Sequence, residues 1–278
     1  MCPEFFHIGP IAVRAYGVML SLSFFIGLWL IRREAKVVKV DPERAVTLGF
    51  VLIIFGVIGA RLGYVLYHWS EFASRPLSII NPFEAGEYIG IAGLNLQGGI
   101  ILGFLAGVYY ITRHKMPFRQ TLDAVAPAVA FGIFLTRIGC FLNGCCFGVP
   151  TNSFLGVEFP EGSPAWYVFG DAHVHPTQLY SSAYGIILLV VLMYMNRHRY
   201  RPGMTVAVYF MLEAVFRFII EFYRYYEPAM WLHDLGINAT FNQIIAGALF
   251  IVGVIFAITS RPNPQVLPNE ELSKPKSA

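Results

Sequence analysis

Four arginines stand where arginine is costly: Arg61, Arg137, Arg217 and Arg224 lie within or at the ends of long apolar runs. An ionisable side chain inside a membrane span costs about 2.5–3.5 kcal/mol on insertion scales, so it faces the bundle interior and marks a function by default. Measured from the starts of their runs, Arg61 and Arg137 fall about sixteen residues in and Arg217 about fourteen. At about 1.5 Å per residue this is roughly 21–24 Å into a hydrocarbon core of about 30 Å. One such arginine is explained by snorkelling to the headgroups or by a helical neighbour; three at a common depth describe a site for an anion. In EAVFRFIIEFYR, Glu213, Arg217, Glu221 and Arg224 are spaced four, four and three apart, which predicts one charged face on a helix. Such a face either neutralises itself as an ion-pair ladder or uses its carboxylates to hold a guanidinium rigid for bidentate capture of an anionic headgroup.

The elements that must position these residues are transmembrane helices. The chain has 278 residues, of which 56% are hydrophobic and only 13% charged, against about 25% charged in a soluble protein. Apolar segments of spanning length recur at 15–31, 45–68, 97–112, 122–141, 179–195, 203–222 and 241–259. The third needs part of the preceding IGIAGLNL to reach across. With the C-terminal end of the first span in the cytoplasm, the cytoplasmic segments hold 14 of the 20 lysines and arginines, while the opposite loops keep only Arg14 and Arg75. The positive-inside rule therefore puts the N-terminus outside and the C-terminus inside. The net charge of +3 is a topology signal and gives no reason to expect nucleic acid as a partner. A cleaved signal peptide is disfavoured, because RREAK follows the first apolar run where a signal peptide carries its charge in front. The expectation is an all-α integral membrane protein of about seven transmembrane helices, forming one domain over 1–260 with a polar cytoplasmic tail, 261–278. The loops at 69–96 and 144–178 would form a small extracytoplasmic cap.

Other polar and glycine-rich residues collect at the outer ends of the spans. Tyr16 opens the first, Gln97-Gly98-Gly99 the third, and HPTQLYSS, with His175, Gln178 and Tyr180, the fifth. A glycine pair lets helices pack closely or lets backbone N–H groups approach a ligand. Tyr16 and Tyr180 also suit an aromatic belt. The stretch TRIGCFLNGCCFG, residues 136–148, carries Arg137, three cysteines, Asn143 and three glycines in an apolar setting. Gly139, Gly144 and Gly148 would let the end of the fourth span unwind beside a cavity, and Asn143 would either hydrogen-bond a headgroup or cap the turn. No CxxC pair is present and no histidine stands at zinc-ligand spacing, so the spacing assigns the cysteines neither metal nor catalytic disulfide. A Cys140–Cys145 bridge and free thiols both remain open.

GARLGYV at 59–65, LQGGIILG at 96–103, RIGCFLNGCCFG at 137–148, HPTQLY at 175–180 and FRFIIEFYR at 216–224 appear in this order. Over nearly its whole length the chain resembles the prolipoprotein diacylglyceryl transferases. The resemblance implies a multi-pass enzyme of the bacterial cytoplasmic (inner) membrane, with its active site toward the outer leaflet and no cofactor or metal. Its partners would be phosphatidylglycerol, the signal peptides of prolipoproteins and the bilayer itself. It would move the diacylglyceryl group of phosphatidylglycerol onto the lipobox cysteine thiol, forming a thioether and releasing glycerol 1-phosphate. By the same resemblance Arg137 fits the family's phospholipid-binding arginine and Arg217 its essential arginine. The expected catalytic set is Arg137, Arg217, Gln97 and Glu221, and the expected phosphatidylglycerol contacts are Arg137, Tyr16, Arg61, Gly98, Gly99, Asn143, Gly148 and Arg224. The chain departs from the family at one position: histidine, cast as general base, commonly precedes the glycine pair, and here Gln97 does. Glutamine cannot take a proton usefully near neutral pH, which leaves Glu221, Glu213 or an arginine field that makes the thiolate directly. The residues alone also allow an anionic-solute transporter or a non-catalytic lipid-binding relative on the same scaffold. A transporter, however, favours midplane sites and internal repeats, neither of which is legible here.

Overall fold

The computed structural model describes residues 4–8, 11–73, 95–198, 201–226 and 239–260. The tail from 261 and most of the loop 69–96 lie outside the described residues. Among these, the chain begins with an antiparallel hairpin, β1 (Glu4–Ile8) and β2 (Ile11–Arg14), and is otherwise helical. In order come α1 (Ala15–Val37), α2 (Pro42–Tyr67), the single turn α3 (Trp69–Phe72), α4 (Leu96–Arg113), α5 (Phe118–Leu142), the short α6 (Pro164–Phe169), α7 (Thr177–Arg197), α8 (Met204–Ile220) and α9 (Phe241–Ile258). Each of the seven expected apolar segments has become a helix. Of these, α1, α2, α5, α7 and α9 are long and apolar enough to cross a membrane; α4 and α8 are also long, at 18 and 17 residues.

The helices form a central layer, α1–α5–α7, flanked by two tight pairs, α2–α4 and α8–α9. Their packing inverts the soluble pattern. Large apolar side chains such as Phe25, Phe104, Ile187 and Ile251 point outward, while the interior is rich in alanine, including Ala35, Ala124, Ala126, Ala130 and Ala207. Without a hydrophobic drive between helices in lipid, small residues allow close backbone approach and van der Waals contact. The α2–α4 pair shows this most directly. A Cβ added at Gly98 would run into the Gly59 carbonyl and lie 2.9 Å from the Gly63 Cα, and one at Gly99 would lie 2.9 Å from the Gly56 oxygen.

Local signals set the helix ends. Asp41 caps α2, accepting from the Glu43 and Arg44 amides, with Pro42 in the first turn. Thr240 and Gln243 form a reciprocal capping box at α9. At the far end of the bundle, buried Asp123 on α5 accepts from Gly203 N at 2.6 Å and Val206 N at 2.9 Å, so one helix caps the start of α8. Nearby, Asn196 of α7 donates to Glu34 of α1 and to the Asp123 carbonyl, both at 3.0 Å. This buried network ties α1, α5, α7 and α8 together.

A compact cap closes the end where α1 begins and α5 stops. Residues 143–176 fold around Phe147, Phe159, Ala165 and Val174, with Tyr225 stacked on Phe147 at 5.7 Å. Isolated bridges link Gly148 to Arg224 and both Pro150 and Val157 to Val174. The described part of the expected cap therefore comes from 144–178 together with the chain that follows α8.

Candidate active site

The site lies at the capped end, where α5 and α8 finish and α7 and α9 begin. Helix α5 does not unwind at Gly139, and the backbone leaves the helix only at Gly144. It runs regularly through Gly139, whose missing side chain admits Tyr16 of α1; an added Cβ would lie 3.3 Å from the Tyr16 Cα. It stops in a Schellman arrangement, with Gly144 N bonded to Phe141 O and Cys145 N to Cys140 O, each at 3.1 Å. Asn143 is the C-cap and Gly144 takes φ +70°. The chain then enters the cap through Gly148, where a Cβ would collide with the Tyr223 carbonyl and come within 2.7 Å of the His175 carbonyl. Gly148 N bonds to His175 O at 2.9 Å and Val149 N to Tyr223 O at 3.0 Å. Only glycine lets these three backbones meet.

Arg137 sits on the last two turns of α5, within electrostatic range of Glu213 and Tyr226 and of the Cys140 and Cys146 thiols. Arg217, on α8, is held by a network. Its Nη2 lies 3.0 Å from Glu221 Oε1 and donates to the Tyr226 hydroxyl at 3.1 Å. The same hydroxyl donates to Glu221 Oε1 at 2.7 Å and accepts from Asn242 Nδ2 at 3.2 Å. Glu221 Oε2 accepts from Thr240 Oγ1 at 3.0 Å. Both oxygens of this buried carboxylate are thus engaged, and α9 is joined to the guanidinium through its own N-cap. Glu213 differs: it lies within range of Arg217 and Arg137, and its Oε2 is buried with no hydrogen-bond partner among the described residues.

The four-residue charged face is shorter than the spacing predicts. Helix α8 ends at Ile220 with Glu221 as its C-cap, so Arg217 and Glu221 pair across one turn while Arg224 lies beyond the helix. Arg224 bridges to Gly148, and its guanidinium covers the Tyr226 ring at 5.1 Å. The turn therefore brings Arg224 toward the end of α5; its charge lies within range of Cys146.

The HPTQ stretch serves the loop after α5. Thr177 Oγ1 donates to the Cys146 carbonyl at 2.8 Å and Gln178 Nε2 to the Cys145 carbonyl at 2.7 Å, both from fully buried side chains. His175 Nδ1 lies 3.2 Å from the Tyr180 hydroxyl. The three cysteines, given no joint role by their spacing, converge: the Sγ atoms of Cys140, Cys145 and Cys146 all lie within 4.8 Å of one another. Sulfur hydrogen bonds with Cys140 and Cys145, reinforced by Arg224 and Arg137, hold the Cys146 thiol below the usual range.

Arg137, Arg217, Arg224, Glu221, Tyr16, Asn143 and Gly148 thus gather around one end of the bundle. Arg61, Gln97, Gly98 and Gly99 belong to the α2–α4 pair. The Arg61 guanidinium lies over Phe72 at 5.3 Å and Tyr64 at 5.9 Å. Gln97 is exposed in the first turn of α4, whose start is fixed by Asn95 accepting from Gly98 N and donating its own amide to Ala60 O. Gly98 and Gly99 face α2 in close helix packing. Sequence reasoning missed Tyr226, Asn242 and Thr240, which complete the support of Arg217; a capping-box pattern at 240–243 was the available signal.

Known proteins resemble this chain over most of its length. The family model for prolipoprotein diacylglyceryl transferase matches residues 3–259. A phosphatidylglycerol–prolipoprotein diacylglyceryl transferase of Geobacter sulfurreducens is 31% identical over 260 residues, covering 92% of this chain and 94% of the relative. The enzyme of the same name from Wolbachia pipientis is 33% identical over 267 residues, covering 92% and 93%, and that of Rickettsia bellii is 31% identical over 271 residues, covering 92% and 94%. The agreement spans both arginine-bearing blocks and the cap between them, and the chain belongs to the prolipoprotein diacylglyceryl transferase family.

Proposed function

We infer that this membrane protein is a transferase that moves the diacylglyceryl group of phosphatidylglycerol onto prolipoproteins. Within a chain of this family, one observation carries the mechanistic reading: Arg137, Arg217 and Arg224 converge on the Glu213–Glu221–Tyr226 group. The electrophilic carbon is the glyceryl carbon bonded to the phosphate oxygen, and the nucleophile is the lipobox cysteine sulfur. As the C–S bond forms and the C–O bond breaks, the electron pair passes to glycerol 1-phosphate, whose extra charge the guanidinium groups stabilise. Arg137 contacts the headgroup from α5. Arg217, locked by Glu221 and Tyr226, presents its fork to the phosphate, and Arg224 adds charge at the turn.

The same field lowers the pKa of the incoming thiol, whose proton leaves to water. Glu221 acts as a positioning residue, since its oxygens are engaged by Arg217, Tyr226 and Thr240. Gln97 and Arg61 approach the lipid from the α2–α4 side, with Gln97 as a hydrogen-bond donor and with Gly98 and Gly99 holding that helix pair together, and Tyr16, Asn143 and Gly148 line the α5 side. The distribution of basic residues supports seven crossings with the N-terminus outside and the capped end at the outer leaflet, where the lipobox emerges. Residues 1–260 act as one catalytic unit.

The deciding experiment incubates purified protein with phosphatidylglycerol and a synthetic lipobox peptide, followed by mass spectrometry. A thioether-linked diacylglyceryl peptide and one glycerol phosphate per peptide are expected. Lipid binding without product would replace the enzyme by a lipid-binding protein.

A further inference from the structure

The reaction makes no use of the three thiols at the end of α5, yet they form a built cluster. Cys140 lies on the last turns of α5, and Cys145 and Cys146 on the loop that follows, and their Sγ atoms fall within 4.8 Å of one another. Sulfurs bound at about 2.3 Å around a three-coordinate ion lie about 4 Å apart, inside the 4.8 Å that encloses the cluster. The loop is fixed from behind. Gln178 and Thr177 hold the Cys145 and Cys146 carbonyls, and Cys145 N bonds back to Cys140 O. Cys146 adopts φ +62°, a left-handed conformation that strains any residue with a Cβ and that glycine holds freely. The chain thus keeps a thiol where the backbone favours none.

We propose that Cys140, Cys145 and Cys146 bind one soft d¹⁰ cation in a three-sulfur site, with Cu(I) preferred to Zn(II). No histidine or carboxylate among the described residues joins the group. This suits Cu(I), which thiolates select, better than Zn(II), whose structural sites take four ligands. Three thiolates around one monovalent ion leave a net charge of minus two. Arg137 and Arg224 both lie within range of Cys146, and Arg137 also of Cys140, so the cluster faces cationic side chains that it shares with the headgroup site. Nothing in this inference rests on the transfer reaction.

The test uses the reduced full-length protein in detergent, loaded anaerobically with Cu(I) in competition with bathocuproine disulfonate, and separately with Zn(II) against a chromophoric chelator. One Cu(I) per chain, with a sulfur-only shell by X-ray absorption, is expected in the wild type and in Cys2→Ser. Loss of that ion is expected in Cys140→Ser, Cys145→Ser and Cys146→Gly. The last variant removes the thiol while relieving the strained backbone, so retained folding accompanies its loss of ion. Gln178→Ala should weaken affinity by about 10–100-fold at unchanged stoichiometry, as loss of an outer-shell support does. The proposal is overturned if wild type retains no Cu(I), if the triple Cys140, Cys145 and Cys146 serine variant retains as much as wild type, or if Zn(II) is held more tightly than Cu(I).

Discussion

Replacing Glu221 by glutamine separates a carboxylate that positions an arginine from one that takes a proton. The glutamine amide keeps the shape and can still accept from Tyr226 and donate to Thr240, so the packing where α8 meets α9 survives. What disappears is the negative charge 3.0 Å from Arg217 Nη2. Breaking a fully buried ion pair by removing one partner costs about 3–5 kcal/mol. The Glu221 side chain is fully buried but that of Arg217 is 25% exposed, so water recovers part of the loss and about 2–3 kcal/mol remains. At about 1.4 kcal/mol per factor of ten, transfer should fall about 30–150-fold in kcat/KM if the whole of it is spent on aligning the guanidinium. The assay is the rate of diacylglyceryl transfer to a lipobox peptide across a range of pH, in protein shown to bind phosphatidylglycerol. A positioning role lowers the whole profile and leaves its shape. Disappearance of the controlling ionisation in Glu221→Gln would make Glu221 the base and refute the reasoning, and so would an unchanged rate.

Arg137→Ala and Arg217→Ala should each abolish measurable transfer, and Arg217→Lys should restore it only in part, because an ammonium lacks the planar fork; product counting by mass spectrometry checks both. Gln97→Ala should lower the rate by the worth of one polar contact to a charged group, about 1.5–3 kcal/mol, while Gln97→His stays active. A new titration near pH 6.5 in that variant would show imidazole taking over as base. Gly148→Ala should destabilise the cap and reduce activity, since its Cβ meets the Tyr223 and His175 backbones; a thermal shift equal to wild type would count against that junction.

Much of the scaffold was legible because lipid imposes one rule on every span. Each apolar segment had to be a helix, and bounds such as 203–222 against Met204–Ile220 differ only where the run outlasts the hydrogen-bonded turns. The i, i+4 pairing of Arg217 with Glu221 followed from helical periodicity alone. Arg224 did not, because the spacing continues past Glu221 while the backbone leaves the helix to bridge Gly148. The unwinding expected at Gly139 was a composition argument; the glycine serves instead as a socket for Tyr16. Convergence of the three thiols depended on the left-handed turn at Gly144 and Cys146, a chain reversal that no linear spacing rule encodes. Tyr226 and Thr240 were likewise invisible as partners of Glu221, since the contact joins two helices through a polar tip.

The three-way backbone junction at Gly148 fixes the length of the chain in front of it. Helix α5 ends at Leu142, and by Gly148 the backbone is bonded to one neighbour and by Val149 to the other. Residues 143–147 therefore have no slack, and one residue gained or lost there would carry the cysteines and Gly148 out of register with His175 and Tyr223. The turn at Glu161–Gly162 is the opposite case: both residues are exposed, and a Cβ at Gly162 would meet nothing within 4 Å. An epitope tag or fluorophore-bearing loop belongs at that turn, where it would report on the capped end without disturbing the arginines.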